Sequence, residues 1–273
     1  ESEPPSPLEL LRSFSITGTS EQLRQQMVKD AYAMQGVAIL GQWTCLYAAP
    51  NSGKTLLTYW MLREQIRAAH IEDSCVYYVN ADDTYRGMVE KIEIAEGFGM
   101  QMLVPNQRGL KVSFIIDLME GLAKSGEASG LVIVLDTLKK FTDLMDKRTA
   151  SKFGVLAREF VSAGGTLITL AHTNKHPNAE GKGVYSGTSD IVDDSDCCYI
   201  IDKVDETAVF MGSEITVEFT NIKSRGDVMS KLGFTYTKMT GQNYAKLLDS
   251  VKRIDEMAIQ QSKRQKQVTE GII

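Results

Sequence analysis

Apolar positions fall along this chain in blocks whose period changes from two to 3.6 and back. Thr44 to Tyr47 is a short apolar run. Behind it, Thr55 to Ala69 carries Leu56, Tyr59, Trp60 and Leu62 to Ile66 at the spacing of an amphipathic helix. Cys75 to Val79 predicts a second buried strand, and Tyr85 to Glu96 and Ser113 to Lys124 predict helices, the latter through Phe114, Ile115, Leu118 and Leu122. Gly130 to Asp136 is apolar without interruption until its last residue, the form of a parallel strand covered on both faces. Ala150 to Ala163 predicts a further helix, Thr166 to Ala171 and Cys197 to Ile201 strands, and Ala208 to Phe210, Ile215 to Phe219 and Leu232 to Thr237 antiparallel additions. Strands alternating with helices in this order predict an α/β protein, a mainly parallel twisted sheet flanked by helices with antiparallel strands toward the C-terminus.

The N-terminal region reads differently. Three of the chain's 6 prolines lie within Glu1 to Pro7, which predicts a flexible lead-in. Thr19 and Gln22 have capping-box spacing and open an expected helix to about Gln35, with Leu23, Met27, Ala31 and Met34 on one stripe that would face its own core or a neighbouring subunit. The expected division is a linker and helix over 1–36, a main domain over 37–240 and a helical tail over 241–273. A chain opening at Glu1 is expected to be a fragment of a longer protein.

Composition narrows the classes. At 273 residues, 43% hydrophobic and 24% charged, the chain can bury one sizeable core. Lys+Arg 30 against Asp+Glu 35 gives 30 − 35 = −5, so nucleic-acid binding would need a local basic site rather than bulk charge. Cys45, Cys75, Cys197 and Cys198 lack CxxC spacing and read as reduced thiols of a cytoplasmic protein. No run of eighteen apolar residues suggests a membrane span.

The chemistry begins at Tyr47-Ala48-Ala49-Pro50-Asn51-Ser52-Gly53-Lys54-Thr55, set between the first strand and its helix. In a phosphate-binding loop, backbone N–H groups at a helix N-terminus converge on anionic oxygens, a Lys meets the β/γ-phosphates and a hydroxyl holds Mg²⁺. Ala49 to Leu56 would cradle ATP, although Ala48 stands where the usual pattern opens with Gly. Asp136, closing the apolar run, has the form of a Walker B acid that would hold Mg²⁺ opposite Thr55. Asp82 and Asp83 follow a strand end, where one acid can polarise an attacking water and the other cap the next helix. His172 closes another strand and can sense a γ-phosphate or serve as a hydrogen-bonded core imidazole. The Pro/Asn/Gly/Lys-rich stretch to Tyr185 reads as a mobile loop. Lys223 and Arg225, one residue apart, are either a hairpin end or a pair that reaches a neighbour's phosphate as an arginine finger does.

Taken in order over about Gln35 to Thr240, these motifs resemble the RecA-like motor domain of DnaB-type hexameric replicative helicases, with the phage primase-helicases and plasmid RepA-type helicases. The resemblance implies a RecA-like P-loop NTPase core that assembles as a homo-oligomeric ring, most simply a hexamer, and couples ATP hydrolysis with Mg²⁺ to movement along single-stranded DNA and duplex unwinding. A primase or loader would be a partner, and no membrane is involved. It implies Gly53, Lys54 and Thr55 as the Walker A end, Asp82 as catalytic acid, Asp136 as Walker B acid and His172 as the γ-phosphate sensor. Thr173, Asn174, Lys175 and Lys182 fall in its DNA-binding loop, and Lys223 and Arg225 match its trans-acting pair. The family has Glu where Asp82 stands, so Asp83 is kept as the alternative. Two other readings share the motifs: a recombinase, clock or defence ATPase that assembles without unwinding, and a non-hydrolysing assembly module.

Overall fold

A computed structural model of the chain describes residues 5–21, 31–83, 85–174, 185 and 189–269. Contacts divide it into a small unit, Glu1–Ala31, and a large one, Tyr32–Ile273. In the small unit helix α1, Pro7–Ser13, begins at the last residue of the lead-in expected over Glu1 to Pro7. Its capping box is Ser6 with Glu9: the Glu9 N–H donates to Ser6 Oγ at 3.3 Å and the Ser6 N–H to Glu9 Oε2 at 2.8 Å.

The large unit is mixed α/β, and among the described residues its main sheet has nine strands. In chain order the described strands are β1 Tyr32–Met34, β2 Ala38–Ile39, β3 Trp43–Ala48, β4 Val76–Asn80, β5 Gln101–Leu103, β6 Val132–Asp136, β7 Thr166–His172, β8 Cys197–Val209, β9 Gly212–Lys223, β10 Lys231–Met239 and β11 Lys252–Ile254. The order across the main sheet is β11-β10-β9-β8-β3-β7-β6-β4-β5. Pairing is parallel from β8 through β5 and antiparallel from β8 through β11. The helices of this unit are α2 Lys54–Arg67, α3 Tyr85–Phe98, α4 Val112–Ser125, α5 Lys147–Ser162, α6 Asp190–Asp194, α7 Tyr244–Asp249 and α8 Glu256–Thr269.

The continuous apolar runs become central strands because both sheet faces are covered. Side chains alternate between two cores, as the pleat requires. On β6, Val132 and Val134 enter the core of α2 and α3, while Ile133 and Leu135 enter the core of α4 and α5. On β3, Leu46 and Ala48 take the first side and Trp43, Cys45 and Tyr47 the second. The helix after β3 therefore lies on one face and the helices after β6 and β7 on the other. The reversal falls between the adjacent strands β3 and β7, the kind of crevice in which open α/β sheets gather ligands.

Two boundaries differ from expectation. The helix expected to reach Gln35 gives way to β1, which pairs with β2 across a turn at Gly36 (φ 74°) and buries Ala33 and Met34 completely. Burial against the α2 core decides the conformation of a segment whose short period was ambiguous. The capping residue Gln22 and the stripe residues Leu23 and Met27 lie outside the described residues. At the other end, 241–273 is no separate tail: β11 pairs with β10, and Leu248, Val251 and Ile259 are buried in the same unit. Among the described residues no helix is long and apolar enough to cross a membrane.

Candidate functional site

Parallel register puts the critical loops in one row. Ala48 pairs with His172, Leu170 with Asp136, and Asp136 with Asn80, so β3, β7, β6 and β4 present their C-terminal ends side by side. Ala49 to Leu56, Asn80, Asp82, Asp83, Lys91, Asp136 and His172 line one cleft there, of about 360 Å³. A larger groove, about 960 Å³, lies between α4, α5 and the loop after β6.

The loop's turn depends on backbone conformations that L side chains rarely adopt. Asn51 has φ 61° and Gly53 φ 85°. A Cβ on Gly53 would also stand 2.8 Å from the Tyr236 hydroxyl oxygen, so glycine is required both for its φ and for space. The Ser52 hydroxyl donates to the Ala49 carbonyl at 2.7 Å and closes the loop on itself. Gly53 caps α2 without a side-chain acceptor, leaving the first N–H groups of a 14-residue helix turned into the cleft.

Asp136 is the hub. Its Oδ2 accepts from Thr55 Oγ1 at 2.7 Å and from Tyr78 Oη at 2.7 Å, and its Oδ1 lies 3.6 Å from Lys54 Nζ. The Lys54 side chain is 7% exposed; burial pushes its pKa down, with the Asp136 and Asp82 carboxylates pulling the other way. Tyr78 is fully buried and its phenol is pushed well up, by burial first and by Asp136 second, so it is a hydrogen-bond donor at neutral pH.

The two acids after β4 have different surroundings. Asp83 takes the Lys91 ammonium and the Asn80 amide on one oxygen. Asp82 is open to the cleft, with His172 Nε2 at 3.9 Å from its Oδ2 and Lys139 Nζ at 4.0 Å from its Oδ1. His172 has a buried Nδ1 with no hydrogen-bond partner among the described residues. Its pKa is lowered by burial first, then by Lys54 and Lys139.

The far wall comes from the C-terminal elements: Ile215 of β9, Tyr236 and Lys238 of β10, and Tyr244 and Leu247 of α7. Sequence reasoning missed all of these, and Tyr78, Lys91 and Lys139 with them. Lys91 stands 5.4 Å from the Tyr244 ring, and Glu90 accepts from the Tyr244 N–H at 2.8 Å, which ties α3 to α7 across the cleft.

The remaining expected residues lie apart. Thr173 is mostly buried, its N–H donates to the Ala48 carbonyl at 3.1 Å, and it bridges to Tyr185; Asn174 is exposed. Lys175 and Lys182 lie outside the described residues. Lys223 and Arg225 are absent from the cleft lining. Lys223 pairs with Cys198, which pairs with Cys45 three residues before Ala48, so it sits roughly 10 Å back along the strands, toward their N-terminal ends. There the Lys223 ammonium donates to the Val192 carbonyl at 2.8 Å and to that of Asp193, and Arg225 reaches Asp196 at 3.3 Å.

No protein-family model and no curated protein matches this chain.

Proposed function

We propose that the chain is a RecA-like P-loop ATPase that hydrolyses ATP with Mg²⁺, assembles as a ring and uses the cycle to move along single-stranded DNA as a replicative helicase motor does. One observation carries the ATPase part: the glycine-capped start of α2 meets a buried carboxylate 81 residues away in the chain, with Thr55 Oγ1 and Asp136 Oδ2 2.7 Å apart. The motif order noted in the sequence supports the ring and the DNA.

The residues fit the ligands. A hydroxyl and a carboxylate offer a hard cation two oxygens, leaving phosphate and water to complete its shell. Bound magnesium would neutralise charge on the β- and γ-phosphate oxygens. The α2 N–H groups and Lys54 suit the phosphates, and Tyr236, Tyr244 and Leu247 offer a wall for the nucleoside. Asp82, with contacts no closer than 3.9 Å, is better placed as the base than Asp83, which Lys91 and Asn80 hold. The oxygen of a water bonds to the γ-phosphorus as the bond to the β–γ bridging oxygen breaks; ADP leaves with that electron pair and Asp82 takes the water's proton.

The test is phosphate release with and without single-stranded DNA, using Lys54→Ala as the control. Release that depends on Lys54 and rises with DNA is expected, followed by displacement of a strand from a forked duplex. Release without strand displacement would leave a non-unwinding ATPase. No release above the Lys54→Ala background would refute the enzyme.

A further inference from the structure

Asp82 stands between Lys139 Nζ at 4.0 Å and His172 Nε2 at 3.9 Å. Lys139, three residues beyond Asp136, is the middle residue of the 3-10 turn Leu138–Lys140 that follows β6. Its root is fixed. Thr137 and Leu138 are completely buried, and the Thr137 hydroxyl donates to the Leu170 carbonyl at 2.8 Å. The Lys140 N–H donates to the Thr137 carbonyl at 3.0 Å, which closes the turn. Its tip is free by comparison: the side chain is 50% exposed and its pairing with Asp82 is at the outer limit of an ion pair. Surface pairs of that length contribute little and are readily exchanged.

The other cations are placed elsewhere. Lys54 faces Asp136, Lys91 is held by Asp83, Lys238 of β10 lines the far wall, and Lys223 and Arg225 lie toward the opposite ends of the strands. Lys139 is the lysine that reaches ion-pair distance of Asp82, at 4.0 Å. Lys139 itself lines the larger groove beside the cleft and meets the cleft at Asp82.

We propose that Lys139 reads the γ-phosphate from within the same chain, leaving Asp82 for a γ-phosphate oxygen when ATP binds and so freeing that carboxylate for the attacking water. This rests on the ATPase reading above. A terminal phosphate carries more negative charge than one carboxylate and offers three acceptor oxygens, so it wins the exchange. ADP lacks that group and leaves Lys139 on Asp82. The exchange thereby links recognition of ATP over ADP to readiness of the base, with no proton moved by Lys139 itself.

The test uses the full chain and its Lys139→Ala and Lys139→Arg variants. Dissociation constants are measured with Mg²⁺ for ADP and for a non-hydrolysable ATP analogue, together with single-turnover hydrolysis. ADP affinity in Lys139→Ala should stay within about twofold of wild type. The analogue should bind roughly tenfold more weakly, the scale of one charge-assisted hydrogen bond, and hydrolysis should fall further than binding. Lys139→Arg should restore most of both. Equal weakening of ADP and the analogue would make Lys139 a general contributor to charge and overturn the proposal, as would unchanged analogue affinity. Wild-type binding that Lys54→Ala abolishes, beside an indifferent Lys139→Ala, would sink only the role of Lys139. A wild type that binds neither nucleotide would remove the ATPase reading as well.

Discussion

Tyr78→Phe isolates one hydrogen bond to the central carboxylate. The ring is completely buried, 4.5 Å from the Tyr59 ring, so removing the hydroxyl creates almost no cavity. What disappears is a 2.7 Å donation to Asp136 Oδ2, an oxygen that keeps Thr55 at the same distance. Hydrogen bonds to charged acceptors contribute about 1.5–3 kcal/mol. Because Thr55 remains, the lower end applies, and a loss of about 1.5 kcal/mol is expected in urea denaturation at neutral pH. The decisive measurement is a double-mutant cycle with Asp136→Asn. If the phenol acts on the carboxylate, the two changes should couple by about 1 kcal/mol or more. The half-saturating Mg²⁺ concentration for nucleotide binding should also rise in Tyr78→Phe, since Asp136 loses the group that orients it. Additivity within about 0.3 kcal/mol, with unchanged Mg²⁺ dependence, would refute the reasoning.

The acids after β4 should separate cleanly. Asp82→Asn should keep nucleotide binding and lower hydrolysis by roughly 10², the scale of a lost general base, whereas Asp83→Asn should chiefly lower stability because it leaves the buried Lys91 ammonium without its carboxylate; the reverse pattern would move the base by one residue. His172 gives a pH dependence whose sign follows from its lowered pKa. An unfolded-state imidazole takes a proton near 6.5, the folded one only at lower pH, so its stabilising contribution is complete above about pH 6.5 and declines as pH falls below that. Denaturation midpoints between pH 7.5 and 5 should fall more in wild type than in His172→Gln, and parallel profiles would contradict the shift.

Much of this cleft was legible because its parts are local patterns. A strand, a glycine at positive φ and a helix occupy consecutive residues from Trp43 to Arg67, and Asp136 closes an apolar run whose burial its composition announces. What was illegible depends on pairing across the chain. Tyr78 reads as one more apolar residue of β4 until Asp136 stands beside it. Tyr236 and Tyr244 look like ordinary strand and helix residues, and only the antiparallel extension brings β10 and α7 over the loop. Lys139 reads as a solvated lysine in Lys139-Lys140. The Ser6 to Glu9 capping box was visible in the letters, yet neighbouring prolines suggested an extended lead-in; proline at the first helical position is in fact favoured there. The helix expected over Thr19 to Gln35 illustrates the opposite error at its C-terminal end, where tertiary burial makes Tyr32–Met34 a strand.

The placement of Lys223 and Arg225 separates two residues that the sequence treated as a pair. Lys223 lies roughly 10 Å back along the strands from the cleft and Arg225 meets Asp196 there, so any contribution to a γ-phosphate would be made to another copy. Their ease of release differs. The Lys223 ammonium donates to two carbonyls near the end of α6, those of Val192 and Asp193, and freeing it would leave both without that donor. Arg225 is 58% exposed and touches Asp196 at 3.3 Å. Asp196 does not depend on it: Arg158 Nη1 spans both carboxylate oxygens at 2.9 and 3.0 Å, and the Trp43 N–H donates to Oδ2 at 2.9 Å. Withdrawing Arg225 would therefore leave a buried acid still paired and hydrogen-bonded, at the small cost of a surface contact. If the chain assembles as the ring proposed above, Arg225 would be the residue free to serve the neighbouring cleft, while Lys223 holds α6 against β9.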